Sequence, residues 1–350
     1  VVEVVNRVVE RLCQAQGVSP SRVAEMVVVG NTAMHHLFLR LPVEQLGVAP
    51  YVPAISAALD VKARDLGLRL APGAWVHTLP NVAGFVGADH VAMVLASELD
   101  SVKGIALGLD IGTNTEVVLV REGEMASCSC ASGPAFEGGH ILHGMRAATG
   151  AIERVNLVDG KLSVATIGDA PAVGICGSGI LDAVAVLYRA GAINFRGRME
   201  SSHPWVRQGE RGREVVLAEA ATSGTGEDIV IVQEDINQIQ LAKGAIRTGI
   251  DTLLKVMEVE EGAVERVVIA GAFGSYIRTD SALAIGMFPA FPRARFEQVG
   301  NAAGVGAKLA LVSRKERARA QEIASRIRHV ELMSQPDFME SFALAMYLPR

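Results

Sequence analysis

The run Leu107-Gly108-Leu109-Asp110-Ile111-Gly112-Thr113-Asn114-Thr115-Glu116-Val117-Val118 restricts what this chain can fold into more than any other feature. An apolar stretch (103–110) ends in an acid, a glycine follows at once, and a second apolar stretch (114–121) begins within a few residues. Two buried strands joined by a tight loop satisfy that pattern, and the Glu122-Gly123 turn leads into a third strand at 125–130. Successive backbone amides in such a turn form a nest for anionic oxygens. The acid beside them is placed to orient water around Mg²⁺. A plain hairpin with polar turn residues fits the same letters.

Two more glycine-marked loops share this texture. Val267-Val268-Ile269-Ala270 runs into Gly271-Ala272-Phe273-Gly274, where the absence of side chains would let the backbone approach a nucleobase or ribose. A simple strand-to-helix connection is the competing reading. Gly174-Ile175-Cys176-Gly177-Ser178-Gly179 opens a helix at 178–189 and could hold a nucleotide near the helix N-terminus or serve tight helix–strand packing.

Around these loops, helical spacing marks 1–16, 33–40, 87–99, 235–257 and 302–314, and a closing helix is expected at 337–346. Strands are expected at 25–29, 75–79, 264–270 and 330–333. Asp159-Gly160 is a hairpin signal between 151–158 and 161–167. Residues 42–60 read as loop, 201–226 as a polar exposed segment, and 315–328 as a solvated helix face. Strands and helices alternate throughout, so the class is α/β with mixed sheets.

Composition excludes several classes. With 50% apolar and 20% charged residues the chain is not disordered, and no apolar run approaches the ~18 residues of a membrane span. The charge sum of −5, without a basic stripe, argues against nucleic acid as a partner. The first residues do not read as a signal peptide. Cys13, Cys128, Cys130 and Cys176 are too sparse for a disulfide framework and lack ferredoxin-like spacing, so they read as structural thiols in a reducing cytoplasm. His35-His36 and His140-x-x-His143 read as structural or partner-facing rather than as metal ligands.

The order of the loops resembles the actin-like ATPase superfamily, which includes acetate and sugar kinases, heat-shock chaperones and actin. The likeness is closer to the reductive activators of corrinoid proteins and their relatives that activate O-demethylases and methyltransferases. It is carried by residues 28–37 (Val-Val-Gly-Asn-Thr-Ala-Met-His-His-Leu), the Leu109–Glu116 hairpin, Ser132-Gly133-Pro134-Ala135-Phe136-Glu137-Gly138-Gly139, Gly174–Asp182, Lys243-Gly244-Ala245-Ile246, Gly271–Gly274 and Val299-Gly300-Asn301-Ala302-Ala303-Gly304.

The resemblance implies a two-lobed, ribonuclease H-like ATPase fold. The expected divisions are 1–100 for a first lobe, 101–298 for a second, and 299–350 for a hinge helix with a terminal strand and helix. It implies ATP or ADP with Mg²⁺ as ligands, and coupling of ATP binding and hydrolysis to reduction of a cobalt(II) corrinoid protein, a cobalamin-binding methyl carrier, to cobalt(I). A homodimer is compatible with it. Asp110, Glu137, Asn31 and Thr32 are the expected catalytic group, with Asp110 also on the metal. Gly112, Thr113, Asn114, Thr115, Gly177, Ser178, Gly179, Lys243, Gly271, Ala272, Phe273 and Gly274 are expected to contact nucleotide. Lys243 is singled out because Gln240, Lys243 and Arg247 share a helix that flanks adenine in the superfamily. For Glu137 a loop anchor is the alternative, and for Asn31 and Thr32 a helix cap.

Two family parts do not appear: a first-lobe Asp-Ile-Gly-Thr hairpin and a ferredoxin-type iron–sulfur domain upstream. The chain therefore reads as part of a longer protein, and alone it is expected neither to reduce a corrinoid nor to hydrolyse ATP at the full rate. A small-molecule kinase and a non-catalytic nucleotide-gated interaction module are the competing functions.

Overall fold

The computed structural model describes residues 1–271, 273–274 and 276–350. The chain divides into two compact units. The first comprises 1–108, 118–128 and 301–330; the second comprises 109–117, 129–300 and 331–350.

In the first unit, helix α1 (Val2–Ala15) is followed by β1 (Glu25–Val28), α2 (Thr32–Leu39), β2 (Leu59–Lys62), β3 (Trp75–Thr78) and α3 (Ala88–Ala96). These strands make a sheet of order β1-β3-β2, with β1 parallel and β2 antiparallel to β3. Phe38, Ala63, Leu66, Leu68, Ala74 and Val76 form the core beneath it. β2 lies at the end of the stretch expected to be loop; three prolines upstream masked its short alternation.

Strands β4 (Ile105–Ile111), β5 (Thr115–Arg121) and β6 (Glu124–Cys130) are the expected hairpin and its third strand. In the second unit β7 (Ala151–Val158) and β8 (Lys161–Thr166) turn through Asp159 and Gly160, both at positive φ (50° and 74°), as a two-residue primed turn requires. Then come β9 (Gly174–Ile175), α4 (Gly177–Arg189), β10 (Val206–Gly209), β11 (Gly212–Ala218), β12 (Ile229–Val232), α5 (Gln233–Val256), β13 (Arg266–Ala270), α6 (Thr279–Ala284) and β14 (Arg295–Gly300). The chain continues with α7 (Ala302–Val312), α8 (Arg314–Arg326), β15 (Ile327–His329) and α9 (Phe338–Ala345).

Two expectations are corrected, and one strand was not foreseen. The 201–226 segment is not wholly exposed, because β10 and β11 pair across Gly209 and Gly212 and turn Val215 and Leu217 inward. β14 had no sequence signal, because Arg295–Gly300 is polar and sits at a sheet edge beside β13. The strand expected at 330–333 is β15 at 327–329, parallel to β6, and 332–334 is a 3₁₀ turn.

The strand order of the largest sheet is β14-β13-β4-β5-β6-β15, and β8-β7-β9 and β10-β11-β12 are smaller sheets. Within the first unit α3 and α7 cross closely: a Cβ on Gly306 would lie 2.1 Å from the Ala92 carbonyl oxygen, so only glycine fits there. Arg319 anchors the next helix with two hydrogen bonds to the Asp100 carboxylate, at 2.7 and 2.8 Å. Among the described residues no helix is long and apolar enough to cross a membrane.

Candidate functional site

The turn between β4 and β5 is braced from one side. Ile111 and Thr115, at its ends, are buried. The Ser132 hydroxyl sits 2.8 Å from that of Thr115 and donates to the Gly112 carbonyl at 3.2 Å. The Gly133 amide donates to the Thr113 carbonyl at 2.8 Å, and the Thr113 hydroxyl donates to the Glu137 carboxylate. Thus 132–137 fixes the turn's carbonyls and one hydroxyl. Thr113 and Asn114 are exposed, and no hydrogen bond from the amides of Gly112, Thr113 or Asn114 is present among the described residues. A turn whose carbonyls are tied down and whose amides make no internal hydrogen bond can serve as an anion nest. The sequence reading assigned Ser132 and Gly133 no role of their own; the turn-forming Ser-Gly-Pro directly after a strand was the available signal.

Asp110 closes the β4 side of this nest, half-buried against Gly271. A Cβ built on Gly271 would be 3.0 Å from the Asp110 Oδ1, 2.4 Å from the Ile111 carbonyl oxygen and 2.9 Å from the Ile111 nitrogen. Gly271 also has φ +94°, and its amide donates to Gly300 at 3.0 Å. The backbone of Ile111 by itself requires glycine here, in keeping with the strand-to-helix connection that competed with the nucleobase reading. Gly274 is held the same way, with a Cβ position 2.2 Å from the Ala270 carbonyl oxygen. Ala272 lies outside the described residues.

Phe273 is almost fully buried and stacks on Phe136, with centroids 4.7 Å apart and planes at 10°. Gly177 is packed on the same pair, its Cβ position 1.9 Å from the Phe136 carbonyl oxygen and 2.7 Å from the Phe273 ring. Gly179 abuts the Ile152 carbonyl, and Ser178 is buried with its hydroxyl 3.4 Å from the Cys176 Sγ. The structure thus brings 110–115, 132–137 and 177–179 together with Gly271, Phe273 and Gly274 within the second unit.

Residues 104–350 match the family described as the C-terminal domain of RACo, the ASKHA domain, and residues 1–102 match the RACo middle region. The chain belongs to the RACo family. The corrinoid activation enzyme RamQ of Eubacterium limosum is 35% identical over 98% of this chain and 59% of its own length. A [Co(II) methylated amine-specific corrinoid protein] reductase of Methanosarcina barkeri is 25% identical over 95% of this chain and 63% of its own. A solved structure titled as a reductive activator for corrinoid, iron–sulfur protein superposes with a TM-score of 0.91 at 40% identity, covering 100% of this chain and 56% of that one. The chain spans less than two thirds of the length of these relatives.

Other expected RACo site residues have internal partners. Lys243 is 1% exposed and donates to the Tyr347 carbonyl; burial, and secondarily Arg247, lowers its pKa to about 7. Gln240 donates to the Met346 carbonyl at 2.9 Å, and Arg247 pairs with Asp251 and Glu261. Helical spacing did not distinguish these buried partners from a ligand-facing or solvated row.

In the first unit Asn31 caps α2, accepting from the Met34 amide at 2.9 Å, and the buried Thr32 donates to the Ala83 carbonyl at 2.7 Å. His35 contacts Thr78 and Asn81 at 3.2 Å, and burial lowers its pKa to about 4. His36 accepts from the Ala54 amide, so its other ring nitrogen donates to the Thr32 carbonyl. Both rings serve the fold.

Proposed function

We propose that this chain is the nucleotide-binding portion of a corrinoid-protein reductive activator, and that the β4–β5 turn takes the phosphates of ATP or ADP. The observation that carries this reading is the braced turn whose amides at 112–114 make no hydrogen bond among the described residues, bordered by the Asp110 carboxylate. The donor set suits Mg²⁺ of a nucleotide complex. Asp110 would orient the water shell of such an ion beside the turn. When bound, the ion would neutralise charge on the phosphates.

The chain's own residues supply positioning. The amides of Gly112, Thr113 and Asn114 donate to phosphate oxygens, and Glu137, fixed by Thr113, presents a carboxylate beside the turn for orienting water. The 271–274 loop, anchored on Ile111 and Phe136, is assigned the adenosine end. Asn31, Thr32 and Lys243 each have an internal partner that nucleotide would have to replace or share.

The names of the relatives support corrinoid reduction as the purpose of the complete protein. An iron–sulfur domain outside this chain is our assignment for the electron source. Four buried free cysteines suit a cytoplasmic setting. Calorimetry with ATP and Mg²⁺ tests the site: Asp110→Ala should lose roughly tenfold in Mg²⁺-dependent affinity, about 1.4 kcal/mol, with a smaller change without metal. Equal affinity of variant and wild type with Mg²⁺ overturns the assignment. The cobalt(II) to cobalt(I) absorbance change, followed with the complete reading frame and a corrinoid protein, tests the wider function.

A further inference from the structure

One buried acid in the second unit is left unused by the site above. Asp182, on α4, is 0% exposed, yet its carboxylate is only half satisfied. Oδ1 accepts from the Ser281 hydroxyl at 2.6 Å, while Oδ2 has no hydrogen-bond partner and faces the Arg278 guanidinium at 3.6 Å. The same Arg278 nitrogen donates to Asn156 on β7 at 2.7 Å. Burial raises the Asp182 pKa, opposed by the Ser281 hydroxyl and by the Arg278 and Arg154 charges.

Apart from the Val155 backbone on β7, the groups acting on this acid belong to the stretch that begins at Tyr276, or grip it. Arg154 donates to the Tyr276 carbonyl at 2.7 Å, Gln298 to the Ile277 carbonyl at 2.5 Å, and Arg189 to the Asp280 carbonyl at 2.8 Å. Side chains from β7, β14 and α4 therefore hold 276–281 nearly residue by residue. At the other end Gly271 is fixed on Ile111 and Gly300. The loop spans two anchors, and Asp182 is the charged centre of the second.

A buried acid here is costly unless its charge is used. An apolar side chain would pack α4 against α6 without leaving an orphan oxygen. The 3.6 Å gap to Arg278 is roughly 0.8 Å longer than a charge-assisted hydrogen bond, so a small shift of the 276–278 backbone closes it.

We propose that Asp182 is a positioning residue for nucleotide binding, and that its pairing with Arg278 and Ser281 sets the conformation of the 271–274 loop against the adenosine end. This deepens the nucleotide reading above and rests on it. Because the pairing acts on the loop and not on the phosphate nest, it influences ATP, ADP and AMP alike.

The test is calorimetry of the full chain with ATP, ADP and AMP in Mg²⁺, for wild type, Asp182→Asn, Arg278→Ala and the double variant. Asp182→Asn keeps an acceptor for Ser281 and removes the charge. Arg278→Ala alters a partly exposed side chain, which safeguards the fold. Each single variant is expected to weaken all three nucleotides by a common factor of roughly five to ten, with unchanged stoichiometry. The double variant should be no weaker than the worse single one, because the two groups work as a unit. In the complete protein the KM for ATP should rise with kcat unchanged. Wild-type affinity in both single variants, or weakening confined to ATP, overturns the positioning role. A wild-type chain that binds none of the three overturns the nucleotide reading and this inference with it.

Discussion

At Gly112 an added Cβ would meet one neighbour, the Asn114 carbonyl oxygen at 3.3 Å, and at Gly133 it would meet nothing within 4 Å. At Gly271 it would overlap the Ile111 carbonyl oxygen at 2.4 Å, and at Gly177 the Phe136 carbonyl oxygen at 1.9 Å. The two groups of glycines look alike in the sequence, each following or bordering an apolar strand. In the fold the first group has room where its side chains are missing, and the second lets one piece of the protein lie against another. Glycine in a signature loop therefore does not by itself mark a ligand. The space around its missing side chain separates a binding turn from a packed one.

The sharpest way to break this distinction is Gly271→Ala. The substitution places a side chain at φ +94° and drives it into the backbone of β4. Backbone strain and overpacking each cost about 1–3 kcal/mol, so a loss of about 2–6 kcal/mol is expected in chemical denaturation. A change below about 1 kcal/mol would mean that the loop gives way freely and that its glycine is kept for a ligand after all.

The same distinction explains how much was legible beforehand. The β4–β5–β6 unit, the Asp159-Gly160 hairpin and the long helix α5 announce themselves through local pattern: alternation, turn dipeptides and a helical period. β14 does not, because an edge strand such as Arg295–Gly300 needs no apolar alternation to pair with β13. Of the candidate site, the turn residues could be named from the sequence because they form one contiguous stretch. Packing at Gly177 and Gly271 was an open alternative there, but the partners of Gly271, Gly177 and Lys243 were not, because Ile111, Phe136 and Tyr347 lie far along the chain. Asp182 was visible as a letter in Gly177–Asp182, but its burial and its distance to Arg278 are tertiary facts.

Gly177→Ala should rank next. Its φ lies outside the left-handed region, so the cost comes from overlap alone, with the Phe136 carbonyl and the Phe273 ring. Overpacking of this kind costs about 1–3 kcal/mol. Because the ring stack between Phe136 and Phe273 sits on this glycine, the variant should also loosen the 271–274 loop. Increased proteolytic cleavage near Phe273, with cleavage elsewhere unchanged, would show that the damage is local. A stability equal to wild type would remove Gly177 from the packed group.

The smallest effect on stability is expected at Gly112→Ala, and it is the most informative about function. The backbone there is not left-handed, and the single neighbour at 3.3 Å needs to move by only a few tenths of an ångström. The cost in denaturation should stay below about 1 kcal/mol, within the range of ordinary surface and loop changes. The added methyl group nevertheless stands among the amides of the turn, where phosphate oxygens would have to approach. Affinity for ATP should therefore fall several-fold while the melting temperature scarcely moves, the reverse of the Gly271→Ala pattern. Calorimetry and a thermal melt on the same preparation separate the two quantities. If Gly112→Ala is as destabilising as Gly271→Ala, both turns are packed turns. If it is stable and binds ATP as tightly as wild type, the β4–β5 turn is not where the phosphates sit.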